Sequence, residues 1–225
     1  MNRGLLLLVL LLAAAPSATA PGALRVRASP AVSPCVVAAG NEYARSTGRR
    51  LSVETAAIGE HTSADGADVV IAADQELNRV IESGATHPDL DVDVARIPWV
   101  LATAPGTPPV EIGALARSAT PVRVLGGTVS REALRNLSLQ GASPERTERV
   151  DGARGPVRLA PGEAAIVPLS LAGAGPVTPL SVPPLVARAL GVRASARTTE
   201  ARALLDFLAG PGNAAFRACG RPEAR

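Results

Sequence analysis

The residues of this 225-residue chain with chemistry beyond simple charge are few: two histidines, two cysteines and a scatter of serines and threonines. A Ser-His-Asp hydrolase would need His61 or His87 as its base and a serine on a G-x-S-x-G elbow, and the sequence has no such elbow. His61 stands near Glu60 and Asp65, a set that could make a weak metal site, while His87 precedes Pro88 after a helix. Both read as solvated loop residues, and Asp89, Asp91 and Asp93 read as a polar turn. All 23 basic residues are arginine, which excludes lysine Schiff bases, the P-loop lysine and Ser-Lys dyads. Cys35 and Cys219 lie in no C-x-x-C motif, and two His with two Cys are too few for a multi-ligand zinc site. No enzyme, cofactor or metal is expected. Gly126-Gly127-Thr128 reads as a turn, and Ser130 as the cap of the helix that follows.

The elements that position these groups must be built from aliphatic residues, because apolar residues make up 47% of the chain and aromatics 2%. That composition argues against aromatic stacking platforms for single-stranded nucleic acid or sugars. The net charge of +3 does not imply a polyanion partner, since the arginines are interspersed with acidic residues and no nucleic acid is expected. Met1 to Ala20 reads as a secretory signal: Arg3, an apolar stretch from Gly4 to Ala15, and a small-x-small site at Ala18-Thr19-Ala20. Pro21 disfavours cleavage there, so an uncleaved anchor is the alternative, although the apolar run is short for a bilayer span. A periplasmic or secreted location is expected. In an oxidising compartment Cys35 and Cys219, 184 residues apart, are expected to form a disulfide.

Along the chain, Leu24–Ala28 reads as a strand and Ser33-Pro34 as the start of a helix that Gly48 ends. Leu51–Thr55 and Asp68–Ala72 read as strands, the second buried on both faces. Asp74 is expected to cap a helix with Leu77, Val80 and Ile81 inward. Ile97–Thr103 is a further strand, and Pro105–Pro109 marks a crossover. The second half repeats the alternation: a helix at Ile112–Ala116, a strand at Val122–Leu125, a helix capped by Ser130, and a strand at Ala164–Leu169. Pro176–Pro184 reads as turns with little sheet potential, and Thr199 caps a last long helix. Such alternation indicates an α/β fold with mainly parallel sheets.

Several segments resemble the molybdate-binding component of bacterial ABC importers, a class II periplasmic binding protein. The most specific is Ala67-Asp68-Val69-Val70-Ile71-Ala72-Ala73-Asp74-Gln75. Arg27-Ala28-Ser29, Gly162-Glu163-Ala164-Ala165-Ile166-Val167, and Leu205 to Pro211 with Phe216 and Gly220 are similar to further stretches of that family. The resemblance implies a monomeric, two-lobed protein holding molybdate or another oxyanion in a cleft crossed by two hinge strands, with an ABC permease as partner. Its lobes would be 21–103 with 176–225, and 104–175. It implies that helix N-termini from both lobes hold the anion through neutral donors. Ser29 would donate its hydroxyl and backbone N–H, and Gly126 a backbone N–H. To these, Thr128 and Ser130 add nearby hydroxyls. The sequence departs from the family in two places. Thr55–Gly66 is too short for the usual loop and helix, leaving Thr62 and Ser63 as the hydroxyls there, and Pro168 stands where a ligand-binding tyrosine is usual. A binding fold with a degenerate cleft, acting as an interaction or sensory module, is the alternative.

Overall fold

A computed structural model describes residues 22–58, 64–115, 122–141, 144, 147–150 and 155–219; the expected signal segment 1–20, His61, Thr62 and Ser63 lie outside the described residues. In chain order the elements are β1 (Leu24–Ala28), α1 (Ser33–Thr47), β2 (Leu51–Thr55), β3 (Val69–Ala73), α2 (Asp74–Glu82), β4 (Thr86–Ile97) and β5 (Trp99–Thr103). There follow α3 (Ile112–Leu115), β6 (Val122–Leu125), α4 (Thr128–Leu139), β7 (Thr147–Val150), β8 (Ala164–Pro168), a 3-10 turn at Leu169–Leu171 and β9 (Val177–Pro179). β10 (Leu185–Val192), α5 (Thr198–Ala209) and α6 (Gly212–Ala218) complete the described chain.

The strands form two five-stranded sheets, ordered β2-β1-β3-β10-β4 and β7-β6-β8-β5-β9. In the first, β1 runs parallel to β2 and β3, and β10 is antiparallel to both of its neighbours. In the second, β6 is parallel to β7 and β8, and β5 is antiparallel to both of its neighbours. Each sheet is therefore mixed, with four strands running one way and one reversed. The α/β class is the expected one.

β3 shows why its residues make a central strand. Val69, Ile71 and Ala73 enter the main core with residues of α1 and α5, while Val70 and Ala72 face Leu77 and Val80 of α2. A continuous aliphatic run suits a strand covered by helices on both faces. Asp68, just before it and 1% exposed, accepts hydrogen bonds from the Arg25 backbone N–H (2.8 Å) and the Ser195 hydroxyl (2.7 Å). Its carboxylate thus ties the start of β3 to β1 and to the segment after β10. Gly48, at φ 70°, ends α1 by donating to Ala44 O, as its type predicts. The Tyr43 and Phe207 rings meet edge to face at 5.2 Å and join α1 to α5.

Several expectations are corrected. The supposed polar turn at Asp89–Asp93 lies within β4, an edge strand. Aspartate is a poor strand residue, and here its charge is balanced from the neighbouring strand. Arg188 of β10 donates to both Asp91 oxygens and to Asp74, and lies 3.7 Å from Asp93. The hydrogen bonds that Arg188 donates to Asp91, then to Asp74, raise its pKa above the ordinary value. His87 is on β4 as well, half-buried, with Nε2 buried and unpartnered. β7 and β10 were not foreseen, and β9 lies inside the stretch read as turns.

The chain crosses between sheets at Pro98 and again between β9 and β10. Trp99–Thr103 and Val177–Pro179, expected with the first unit, belong to the second sheet. Pro105–Pro109 is thus a loop following β5. Pro98 is the physical divider, since proline has no N–H to continue a ladder. Cys35, near the start of α1, is bridged to Cys219, at the end of α6, with Cα atoms 5.1 Å apart.

Candidate functional site

The C-terminal ends of β1, β3 and β6 lead into the turns before α1, α2 and α4, and these meet around a cavity of about 300 Å³. Ligands in open α/β sheets lie at such carboxyl ends of parallel strands. One wall is Pro30, Ala31, Ala57, Ile58 and Glu76; the other is Leu125, Gly126, Gly127, Thr128, Arg131 and Arg149. A larger cavity, about 810 Å³, lies beside β5 and β6 among Pro- and Gly-rich segments. Arg123 and Arg158 both line it, and Arg123 is already committed to Arg158 O at 3.0 Å and Glu163 at 3.5 Å. The smaller cavity is the better candidate because three helix beginnings converge on it.

Those three beginnings are not equivalent. Before α1 the chain turns back on itself: Val32 and Ser33 N–H both donate to Ser29 O, and Cys35 and Val36 N–H donate to Val32 O. Pro30 and Pro34 have no N–H to offer, and Ala31 N–H has no backbone acceptor among the described residues. At α2 the Glu76 carboxylate accepts the Ala73 N–H at 3.1 Å, and Asp74 and Glu76 place negative charge in the first turn. That positive helix end is already compensated. α4 differs: its N-cap is Gly127, no side chain caps it, and its first turn has no acidic residue. Its first-turn N–H groups, beside the cavity-lining Gly126, Gly127 and Thr128, have no side-chain cap among the described residues.

Gly127 makes that opening possible. Its φ of 107° with extended ψ is a conformation that L side chains rarely adopt, and the absent side chain leaves the α4 amides approachable.

The expected site residues fare differently. Gly126 and Thr128 line the cavity. Ser29 sits at the end of β1, fully buried, but its N–H donates to Ile71 O at 3.0 Å, so the expected N–H donor is taken. Its hydroxyl is buried without a hydrogen-bond partner, as is that of Ser130. Ser130 is the third residue of α4 rather than its cap, just as Asp74 and Ser33 are first helical residues with Ala73 and Val32 in the cap positions. The backbone turns earlier than the side-chain types suggested, and the Ser33 hydroxyl instead meets that of Thr55 at 2.6 Å. Thr62 and Ser63 follow Ile58 in sequence, outside the described residues. Arg131 and Arg149 were not anticipated; the signal for the first was an arginine four residues into a helix that begins after a glycine pair. Among the described residues no group of three or more His, Cys, Asp or Glu could hold a metal ion.

Two contacts join the walls. The Ser170 hydroxyl, from the turn after β8, donates to Ala31 O at 2.6 Å in a buried position. At the rim, Gln75 Nε2 of α2 donates to Glu132 Oε2 of α4 at 2.7 Å.

The chain belongs to the bacterial extracellular solute-binding proteins, whose family model matches residues 24–220. No curated protein sequence matches it. Among solved structures, the periplasmic molybdate-binding protein of Azotobacter vinelandii is similar with a TM-score of 0.65 and 15% identity, over 88% of this chain and 97% of that one. The sulfate-binding protein SubI of Mycobacterium tuberculosis is similar at 0.62 and 15%, over 90% and 87%. Iron-bound HitA of Pseudomonas aeruginosa is similar at 0.58 and 13%, over 88% and 84%. The fold is that of the type II periplasmic binding proteins, and these neighbours are named for oxyanions and for a metal, so the ligand must be read from this chain's own cleft. No helix among the described residues is long and apolar enough to cross a membrane.

Proposed function

We propose that the protein is the exported binding component of an ABC-type importer, holding a small anion between two lobes and presenting it to a membrane permease. The lobes are 22–98 with 180–219, and 99–179, each built on one sheet. The observation that carries the reading is the uncompensated N-terminus of α4, opening on an inter-sheet cavity beside Arg131 and Arg149. Partly buried helix ends favour anions by up to about 2 kcal/mol, and charge-assisted hydrogen bonds add to this. The Gly126 and Thr128 backbone amides are the direct donors, and the buried, unpartnered hydroxyls of Ser29 and Ser130 stand next in sequence to the lining residues Pro30 and Arg131. The protein acts as a monomer, periplasmic or secreted, and catalyses no reaction.

Thermal unfolding tests this with molybdate, tungstate, sulfate, phosphate and small carboxylates. A ligand present at 100 times its dissociation constant adds about 2.7 kcal/mol of stability. A melting temperature unmoved by all of them overturns the transport reading. It then favours the second one, a binding fold serving as an interaction module, which the internally committed α1 and α2 ends support.

A further inference from the structure

The arginines in the cleft bear on which anion it takes. Arg131 is the fourth residue of α4, so its positive charge is added to the positive end of a helix that has no acidic residue in its first turn. A cation there is unfavourable. Arg149, on β7, stands in register with Val124, one residue before the end of β6, and so reaches the same opening from the adjacent strand. Both side chains are exposed and line the cavity, and neither meets a carboxylate among the described residues. Glu76, on the opposite wall, is turned to the Ala73 N–H. Three positive features thus share one opening, with Glu76 the carboxylate that lines it among the described residues.

Size is the second consideration. A tetrahedral oxyanion displaces about two or three waters, roughly 60–90 Å³. The cavity is about 300 Å³, and Ile58, Ala31 and Leu125, all at most 5% exposed, give it apolar wall. Neutral donors alone suffice for a small oxyanion, whereas two guanidinium forks suit planar or doubly charged acidic groups.

We propose that the cleft is selective for an organic anion carrying two acidic groups, its head group on the α4 amides between Arg131 and Arg149 and its carbon body against Ile58 and Leu125. This rests on the solute-binding reading and narrows its substrate class. The test is titration calorimetry on the purified, disulfide-intact protein with phosphoglycolate and malonate, against inorganic phosphate, sulfate and molybdate. Phosphoglycolate or malonate is expected to bind at least tenfold more tightly than any inorganic anion. Arg131→Gln and Arg149→Gln should each weaken that binding about tenfold or more. A second readout separates function from structure: the ligand-free Arg131→Gln variant should melt no lower than the parent, since the substitution removes a charge conflict at the helix end.

An inorganic anion that binds more tightly, and is indifferent to both substitutions, overturns the inference and leaves the solute-binding reading standing. Failure of every probe to bind overturns both. A lower melting temperature for ligand-free Arg131→Gln overturns the assignment of Arg131 to the ligand.

Discussion

Replacing Cys35 and Cys219 with alanine should lower the stability of the protein by several kcal/mol without unfolding it. The bridge closes a loop spanning 184 residues. On the loop-entropy account, a closure of that length restricts the unfolded chain by about 5 kcal/mol, which is the upper bound for the effect. Domains of this kind are stable by about 5–15 kcal/mol, so a loss near that bound is a third or more of the total. The folded state keeps other ties in the same place: Phe216 of α6 is buried against the core, and the Asn213 side chain donates to Val94 O. These hold α6 on α1 and β4 when the sulfurs are gone. Guanidinium unfolding followed by circular dichroism is the assay. For a chain of this size the denaturant slope is about 4–5 kcal/mol per molar, so the midpoint should fall by about 1 M. The slope itself should rise slightly, because the unbridged chain exposes more surface when unfolded. Equal midpoints for the two proteins, with the parent confirmed as bridged by alkylation and intact mass, would refute the reasoning.

Three further outcomes follow from the packing. Asp68→Ala strands the Arg25 N–H and the Ser195 hydroxyl beside β3 and should cost about 2–4 kcal/mol in chemical denaturation, with little effect on ligand affinity because the carboxylate lies at the end of β3 away from the cleft. Gly175→Ala would place a Cβ 1.8 Å from Thr103 O, so a drop in melting temperature of several degrees or loss of soluble protein is expected; unchanged melting would contradict the close approach of that loop to β5. Ser170→Ala removes the buried donor to Ala31 O, and should lower stability by about 1–2 kcal/mol and speed ligand release in stopped-flow measurements.

Much of the fold was legible because aliphatic strands such as Val69–Ala73 and Ala164–Pro168 are covered on both faces, and their runs admit few other readings. The elements that escaped notice carry mixed signals. β4 contains three aspartates, two of them met by the sequence-distant Arg188, and β10 carries that one arginine between two alanines. Neither pattern declares a strand until the other is beside it. The Ala67 to Gln75 resemblance marked the fold rather than the ligand, since Asp68 acts as a structural tie at the far end of β3. Gly126, implied by the resemblance, and Thr128, added beside it, both line the cavity. The committed Ser29 N–H was not legible, because its acceptor, Ile71 O, belongs to a strand that pairs with β1 only in the folded sheet. Arg131 and Arg149 were hidden among 23 arginines, and nothing in their local sequence separates a cleft guanidinium from a solvated one.

The strand order of the first sheet has a consequence for biosynthesis. Among the described residues β4 has β10 as its hydrogen-bonded neighbour, and β10 lies between β3 and β4, although 87 residues separate Ile97 from the start of β10 in the gene's order. A chain made or threaded through a membrane from its N-terminus can complete the second sheet, whose strands all fall between 99 and 179, while β4 still lacks its neighbour. The half begun first is finished last, and the strand that finishes it is followed closely by α5, α6 and Cys219. Sealing of the disulfide therefore reports arrival of β10, α5 and α6, and a product truncated before β10 would expose the bare edges of β3 and β4 as a mark for proteolysis.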